Sequence, residues 1–258
     1  MPADLKLSIV IPTINEEAGI ADAVARAWRL RPVEVIVSDG GSVDRTATLA
    51  RQAGAIVLGG PAGRGRQLNR GATGATGEVL LFLHADTWLP PEAAEQLAEA
   101  LADDAVLWGA FRQAINAGGW RYRALEWGNA YRAHRLQTPY GDQAIFTTRS
   151  VFDQVGGFAD VPIMEDVDLS RRLRKIAAPR LLTGPLHTSA RRWRRHGVIR
   201  QTIRNWGVLL LWRLGVAPRR LAAWYRPHVE ADAIATKSKR AAEASPAADG
   251  TRCVASRS

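Results

Sequence analysis

The chain has 258 residues, 47% of them hydrophobic, which suffices for one large α/β domain or two small ones and excludes a wholly disordered chain. Its one cysteine, Cys253, lies in a polar C-terminal stretch, which excludes a disulfide scaffold and fits a reduced, cytoplasmic setting; the N-terminus has neither the basic region nor the cleavage site of a signal peptide. The formal net charge of +10 is concentrated, since Arg191 to Arg226 contains ten arginines and no acidic residue, the pattern of a solvated basic face or of a surface for an anionic partner.

In chain order, Leu7–Ile11 is an apolar run closed by Pro12 and predicts a buried strand. Glu16–Arg29 places Ile20, Val24, Ala27 and Trp28 on one helical face. Val33–Val37 predicts a second strand, ending at Ser38-Asp39-Gly40-Gly41, and Asp44–Ala53 a helix with Asp44 at its start. Ala55–Leu58 predicts a third strand, followed by a basic glycine-rich loop, Gly59–Arg66, and a helix over Gln67–Ala75. Val79–Leu83 is the most apolar strand and runs into His84-Ala85-Asp86; Pro90 and Pro91 open a helix that ends near Ala102. This alternation predicts βαβ units around a parallel sheet.

The second half is less regular. Leu107–Ile115 and Ala144–Thr148 read as strands, Trp120–His134 and Asp166–Ile176 as helices. Trp120, Tyr122, Trp127 and Tyr131 share helical spacing and are expected in the core rather than as a platform for an acceptor. Val198–Leu214 reads as an apolar helix with basic flanks. Its apolar centre, Val208–Leu211 with Trp206 and Trp212, is too short to span a bilayer, which takes ~20 residues. It fits an interfacial helix facing anionic headgroups, or a helix packed on the body with its arginines reaching water. The expected organisation is a catalytic domain over residues 1–190, a helical extension over 191–229 and a disordered tail over 230–258.

In open α/β sheets ligands bind beyond the carboxyl ends of the strands. Four segments fall there: Pro12–Glu17, Asp39–Asp44, Gly63–Asn69 and His84–Asp86. Each has a plainer reading. Asn15 and Asp44 could cap helices, and the glycines could only make turns. No G-x-G-x-x-G follows the first strand, which argues against a dinucleotide fold. Arg64 and Arg66 could reach a diphosphate, because guanidinium binds phosphate oxygens in bidentate fashion. Gly141-Asp142-Gln143 reads as a turn or as a binder of sugar hydroxyls.

The ordered set PTINEE, SDGGSVDRT, GRGRQLNRGA, LFLHADT, GGF and EDVDLSRRL resembles the inverting family 2 glycosyltransferases of the GT-A fold, over roughly Leu7 to Lys175. The combination of GDQAIF, MEDVDLSRRL and SARRW resembles a bacterial branch associated with arsenosugar and selenium-linked radical-SAM gene clusters. The resemblance implies an α/β, GT-A fold with a mostly parallel nucleotide-binding sheet and a helical C-terminal extension. It implies a UDP-sugar donor, a small or lipid-linked acceptor and Mg²⁺ or Mn²⁺.

It assigns Pro12, Thr13, Glu16 and Asp39 to the nucleotide and Arg66 to the base or phosphates. Asp86 is the last residue of the family's D-x-D motif and a metal ligand. Asp166 matches the catalytic base, with Glu165 beside it, and Val155–Phe158 would lie near the acceptor. The first Asp of D-x-D is His84 here, which leaves His84 to the ribose or the metal's waters and His187 as a further metal ligand. No recognised nucleic-acid-binding module is present. The alternative is a non-catalytic nucleotide-binding protein that docks on a membrane or polyanion through its arginine segment.

Overall fold

The protein is described by a computed structural model that covers residues 5–190 and 198–224. The first half alternates strands and helices: β1 (Leu7–Thr13), α1 (Ile20–Trp28), β2 (Glu34–Asp39), α2 (Thr46–Gln52), β3 (Ile56–Gly59), α3 (Arg64–Gly74) and β4 (Val79–Phe82). Then come β5 (Thr87–Trp88), α4 (Ala93–Leu101), β6 (Trp108–Asn116), α5 (Trp120–Arg135), β7 (Phe146–Thr148), α6 (Arg149–Gln154), α7 (Glu165–Leu173) and β8 (Arg180–Ser189). Two helices, α8 (Val198–Arg213) and α9 (Pro218–Trp224), follow. Residues 1–225 cluster as one compact unit and 226–258 as a second, which lies outside the described residues together with Cys253 and the expected disordered tail.

All eight strands join one mixed sheet in the order β3-β2-β1-β4-β7-β6-β8-β5. β3, β2, β1 and β4 pair in parallel, as do β6 and β8, while β7 runs antiparallel to β4 and β6, and β5 antiparallel to β8. The expected parallel half is therefore present, and the second half departs from it through β7 and β5.

Every residue of β2 is buried, because helices cover both faces of the sheet. One layer joins Ile9, Ile11, Val35, Val37 and Leu81 to Val24 of α1 and Leu97 of α4. The other joins Val10, Ile36, Leu80 and Phe82 to Leu68 of α3, Phe152 of α6, and Leu169 and Leu173 of α7. Each such aliphatic side chain stabilises the fold by about 1.5–3 kcal/mol on burial. A Cβ at Gly71 would run into the side chain of Val10, so α3 lies unusually close to β1. That approach brings the N-terminal turn of α3 to the carboxyl ends of β1 and β2.

Several sequence expectations need correction. The basic glycine-rich segment is not a loop to Arg66, because α3 already begins at Arg64. Strand β8 was not foreseen; its Gly184-Pro185 pair interrupts the apolar pattern, and β6 supplies its partner. The two-residue β5 and the short helices α6 and α9 were also missed. Trp120 and Trp127 are 76% and 69% exposed, so the aromatic face of α5 is not core. Trp127 and Tyr131 instead stack on each other, with ring centroids 5.5 Å apart.

Candidate active site

Two interlocked loops form the floor at the ends of β1 and β2. Asn15, expected as a possible helix cap, instead reaches across: its Oδ1 accepts the Val43 N–H at 3.0 Å, and its own N–H donates to Ser42 Oγ at 2.9 Å. The Glu16 N–H donates to Thr46 Oγ1 at 2.7 Å, and Glu17 accepts the Arg45 N–H at 3.0 Å. Asp44 does not cap α2 from the N-cap position; it accepts the Thr46 N–H at 3.0 Å in a turn before the helix. Asp39 Oδ2 accepts the N–H groups of Gly41 and Ser42 at 3.1 and 3.0 Å, and its Oδ1 accepts the Ser42 hydroxyl. The Asp39 carboxylate is thus fixed at a strand end.

α3 braces this floor. Gln67 Nε2 donates to the carbonyls of Thr13 and Ser38 at 2.8 and 2.9 Å, tying β1 to β2 where both end. Arg70 donates to Ser38 Oγ at 3.1 Å and to the Asp39 carbonyl at 2.8 Å. The Thr13 hydroxyl beside them is buried and makes no hydrogen bond among the described residues. A buried polar atom without a partner is costly and is the kind of group a ligand satisfies.

The centre lies where α3, the end of β4 and the start of α7 meet. Arg64 Nε is 3.1 Å from Glu165 Oε1, and its NH2 contacts His84 Nε2. Asp166 Oδ2 accepts the Gly141 N–H at 2.7 Å, and its Oδ1 accepts the Val167 N–H at 2.8 Å. A Cβ at Gly141 would sit 2.7 Å from Arg64 NH2 and 3.0 Å from Asp166 Oδ2, so glycine here leaves room for these groups to converge. Burial pushes the Glu165 carboxyl up to about 7; the Arg64 guanidinium opposes that shift and the Asp166 charge adds to it. Asp166 and Glu165 do sit in the acidic first turn of α7, with Leu169 and Leu173 anchoring the helix in the core.

Asp86 lies in the turn after β4, which Thr87 pins by accepting the His84 N–H at 3.2 Å and donating to its carbonyl at 3.1 Å. His187 is on β8, paired with Trp88 and stacked on it with centroids 5.2 Å apart. No group of three or more His, Cys, Asp or Glu side chains that could hold a metal ion occurs among the described residues. A cage built from protein alone does not fit this site. A divalent cation held by one carboxylate and by substrate phosphates does fit, since Mg²⁺ needs only one or two protein ligands in such sites.

Residues 8–159 match the family described as glycosyl transferase family 2. The chain belongs to this family. An undecaprenyl-phosphate 4-deoxy-4-formamido-L-arabinose transferase of Pseudomonas aeruginosa is 30% identical over 133 residues, covering 46% of this chain and 39% of that protein. The chain therefore spans well under half the length of that relative. A PGL/p-HBAD biosynthesis glycosyltransferase of Mycobacterium bovis is 29% identical over 212 residues, covering 76% of this chain and 79% of the relative. Glucosyl-3-phosphoglycerate synthase from Mycobacterium tuberculosis, solved with Mn²⁺, UDP and glucosyl-3-phosphoglycerate, aligns with a TM-score of 0.55 at 24% identity, covering 83% and 81% of the two chains. Staphylococcus aureus TarS 1–349 in complex with UDP aligns with a TM-score of 0.57 at 17% identity, covering 71% of this chain and 60% of that one. These likenesses show the GT-A fold.

Within this family 2 glycosyltransferase, the remaining sequence-derived positions separate. Arg66 is held by Asp160 in a bidentate pair at 2.7 and 2.8 Å on the exposed surface, away from the Arg64 cluster's contacts. Gly141–Gln143 is a 3-10 turn, and Asp142 meets Gln113 at 3.4 Å. Val155–Phe158 acts as a packing knot: Phe158 is edge-on to Phe82, and its backbone exchanges two 2.8 Å hydrogen bonds with Asn69. Sequence reasoning missed Gln67, Arg70, Arg132 and Tyr140. Arg132 is buried, lies 3.2 Å over the Tyr140 ring, and donates to Gln143 Oε1 at 3.0 Å, which fixes the turn that holds Asp166. Burial lowers its affinity for a proton, opposed by Tyr140, Asp142 and Asp166.

Proposed function

We propose that this glycosyltransferase moves a hexose from a UDP-sugar to an acceptor hydroxyl with inversion at the anomeric carbon. The convergence of Asp166, Glu165, Arg64 and His84 where α3, the end of β4 and the start of α7 meet is the observation that carries the reading. The acceptor oxygen forms the new bond to the anomeric carbon, the bond from that carbon to the diphosphate breaks, and UDP leaves. Asp166 takes the acceptor's proton on the face opposite the leaving group. Asp39, Thr13, Pro12 and Glu16 hold the nucleoside, and Arg64 with His84 faces the diphosphate. Asp86 would hold Mg²⁺ or Mn²⁺ together with phosphate oxygens; such an ion neutralises charge that grows on the leaving group. His187, which stacks on Trp88, would be a further ligand for that ion.

We place the chain in the bacterial branch marked by GDQAIF and MEDVDLSRRL. We further infer a position on the cytoplasmic side of a membrane. Ile203, Trp206 and Leu210 lie exposed at i, i+3 and i+7 on α8, a helix too short to cross a bilayer, among arginines without acidic neighbours in sequence. The function is tested by screening UDP-sugars for UDP release with Mg²⁺, with Mn²⁺ and with chelator. Metal-dependent release from one donor supports transfer. Tight UDP binding with no release under any metal and with any acceptor favours the non-catalytic reading, for which the histidine at position 84 speaks.

A further inference from the structure

A cavity of about 450 Å³ opens between the end of α5, the outer face of α7 and the end of α8. Arg135, Arg171, Arg174 and Arg213 line it with Trp212, and none of its lining residues is acidic. None of these four arginines forms an ion pair among the described residues. Two are already placed: Arg171 lies 4.9 Å over the Trp212 ring, and Arg174 NH1 donates to the Leu136 carbonyl at 2.9 Å. Guanidinium groups gathered without counter-charge repel one another and match the bidentate geometry of phosphate oxygens.

The cavity adjoins the proposed base. Val167, which lines it, directly follows Asp166 in α7. Tyr140 directly precedes Gly141, whose N–H holds Asp166. The Tyr140 hydroxyl is buried, and the Arg132 guanidinium lies 3.2 Å over the Tyr140 ring. Burial pushes that hydroxyl's pKa up; Arg132 and, less strongly, Arg213 oppose the shift, and the Asp166 charge adds to it. Glu165, on the other side of Asp166, faces Arg64. The first turn of α7 thus lies between Arg64 and the arginine cluster of the cavity.

We propose that this cavity is an acceptor subsite, and that the acceptor carries a phosphate monoester held by Arg135, Arg171, Arg174 and Arg213. The inference rests on the transferase reading for the word acceptor; the anion site itself does not. Four guanidiniums suit a dianion better than a single carboxylate, and the position beside Val167 leaves the acceptor's hydroxyl end at Asp166.

The test titrates full-length protein by calorimetry with inorganic phosphate and with glycerol 3-phosphate, and measures binding to phosphatidylcholine vesicles with and without phosphatidic acid. Arg171→Gln/Arg174→Gln and Arg213→Gln are compared with wild type, and UDP titrations report the fold and the donor site separately. Loss of about tenfold or more in affinity for glycerol 3-phosphate, with UDP binding retained, supports a soluble phosphorylated acceptor. The same loss confined to phosphatidic acid vesicles supports a lipid phosphate. Equal binding of every probe to wild type and both variants overturns the proposal. Should the double variant lose UDP binding as well, Arg213→Gln alone decides. A wild type that binds phosphate but not UDP refutes the UDP-sugar donor and leaves the anion site standing.

Discussion

Asp166 and Glu165 are neighbours in sequence with different surroundings, and that difference separates their roles. Asp166 keeps one oxygen on the Gly141 N–H at 2.7 Å and the other on the Val167 N–H. Asp166→Asn can retain one of these acceptors, so its melting temperature should stay close to wild type. Turnover should fall about 10²–10⁴-fold with donor KM little changed, as expected when a general base is removed; wild-type kcat in this variant would remove Asp166 from the chemistry. Glu165 is buried, and its carboxyl is raised from the usual 4.5 to about 7. A raised folded-state value means that the native protein holds this proton more tightly than the unfolded chain. The stability it contributes is full below pH 4.5 and is lost as pH rises through about 7. Glu165→Gln has no such proton to lose. Denaturant melts near pH 5 and near pH 8.5 should show wild type losing up to about 3 kcal/mol relative to the variant. A constant difference across that window would contradict the raised value.

At the scale of elements, α3 joins the sheet to the site. Gln67→Ala would leave the carbonyls of Thr13 and Ser38 without their side-chain donor. The expected cost is about 1–3 kcal/mol in thermal or denaturant unfolding, with weaker UDP binding because the ends of β1 and β2 lose their tie. Unchanged UDP affinity at reduced stability would confine Gln67 to the scaffold. The same helix shows what a sequence conceals. The strands and their terminal motifs were legible because apolar runs and strand-end glycines are local signals, and Asp39, Asp86 and Asp166 fell at element ends as read. Gln67 and Arg70 were not, because their partners lie across the fold, and Arg132 was not, because its nearby partners, Thr138, Tyr140 and Gln143, follow no regular spacing. β8 was hidden by Gly184-Pro185 and by a partner strand more than sixty residues earlier. The aromatic spacing on α5 suited a core, yet the sheet beneath takes only Arg132 and Ala133 from that helix as buried residues. The pairing of Arg66 with Asp160 was likewise hidden, because the two lie far apart in sequence.

For the whole molecule, the charge distribution and the exposed apolar groups coincide on α8. Val208 turns inward and is 7% exposed, while Ile203, Trp206 and Leu210 are 67%, 68% and 58% exposed. Scattered exposed apolar residues are ordinary, but three at one helical spacing beside an arginine-rich run form a face. A second copy of the chain is a poor partner for it, because two +10 molecules repel. An anionic lipid surface is attracted, by about 1 kcal/mol for each nearby arginine, and accepts the apolar side chains. The protein should therefore sediment with vesicles that contain phosphatidylglycerol and not with phosphatidylcholine alone. Raising salt from about 0.1 M to about 1 M shortens the screening length from ~10 Å to ~3 Å and should release it. Trp206→Ser/Leu210→Ser should weaken vesicle binding roughly 10²–10⁴-fold while UDP affinity holds, since each lost side chain withdraws about 1.5–3 kcal/mol of burial. Binding that survives both high salt and this double substitution would assign the membrane contact to another part of the chain, and no vesicle binding at low salt would leave the α8 face to a different partner.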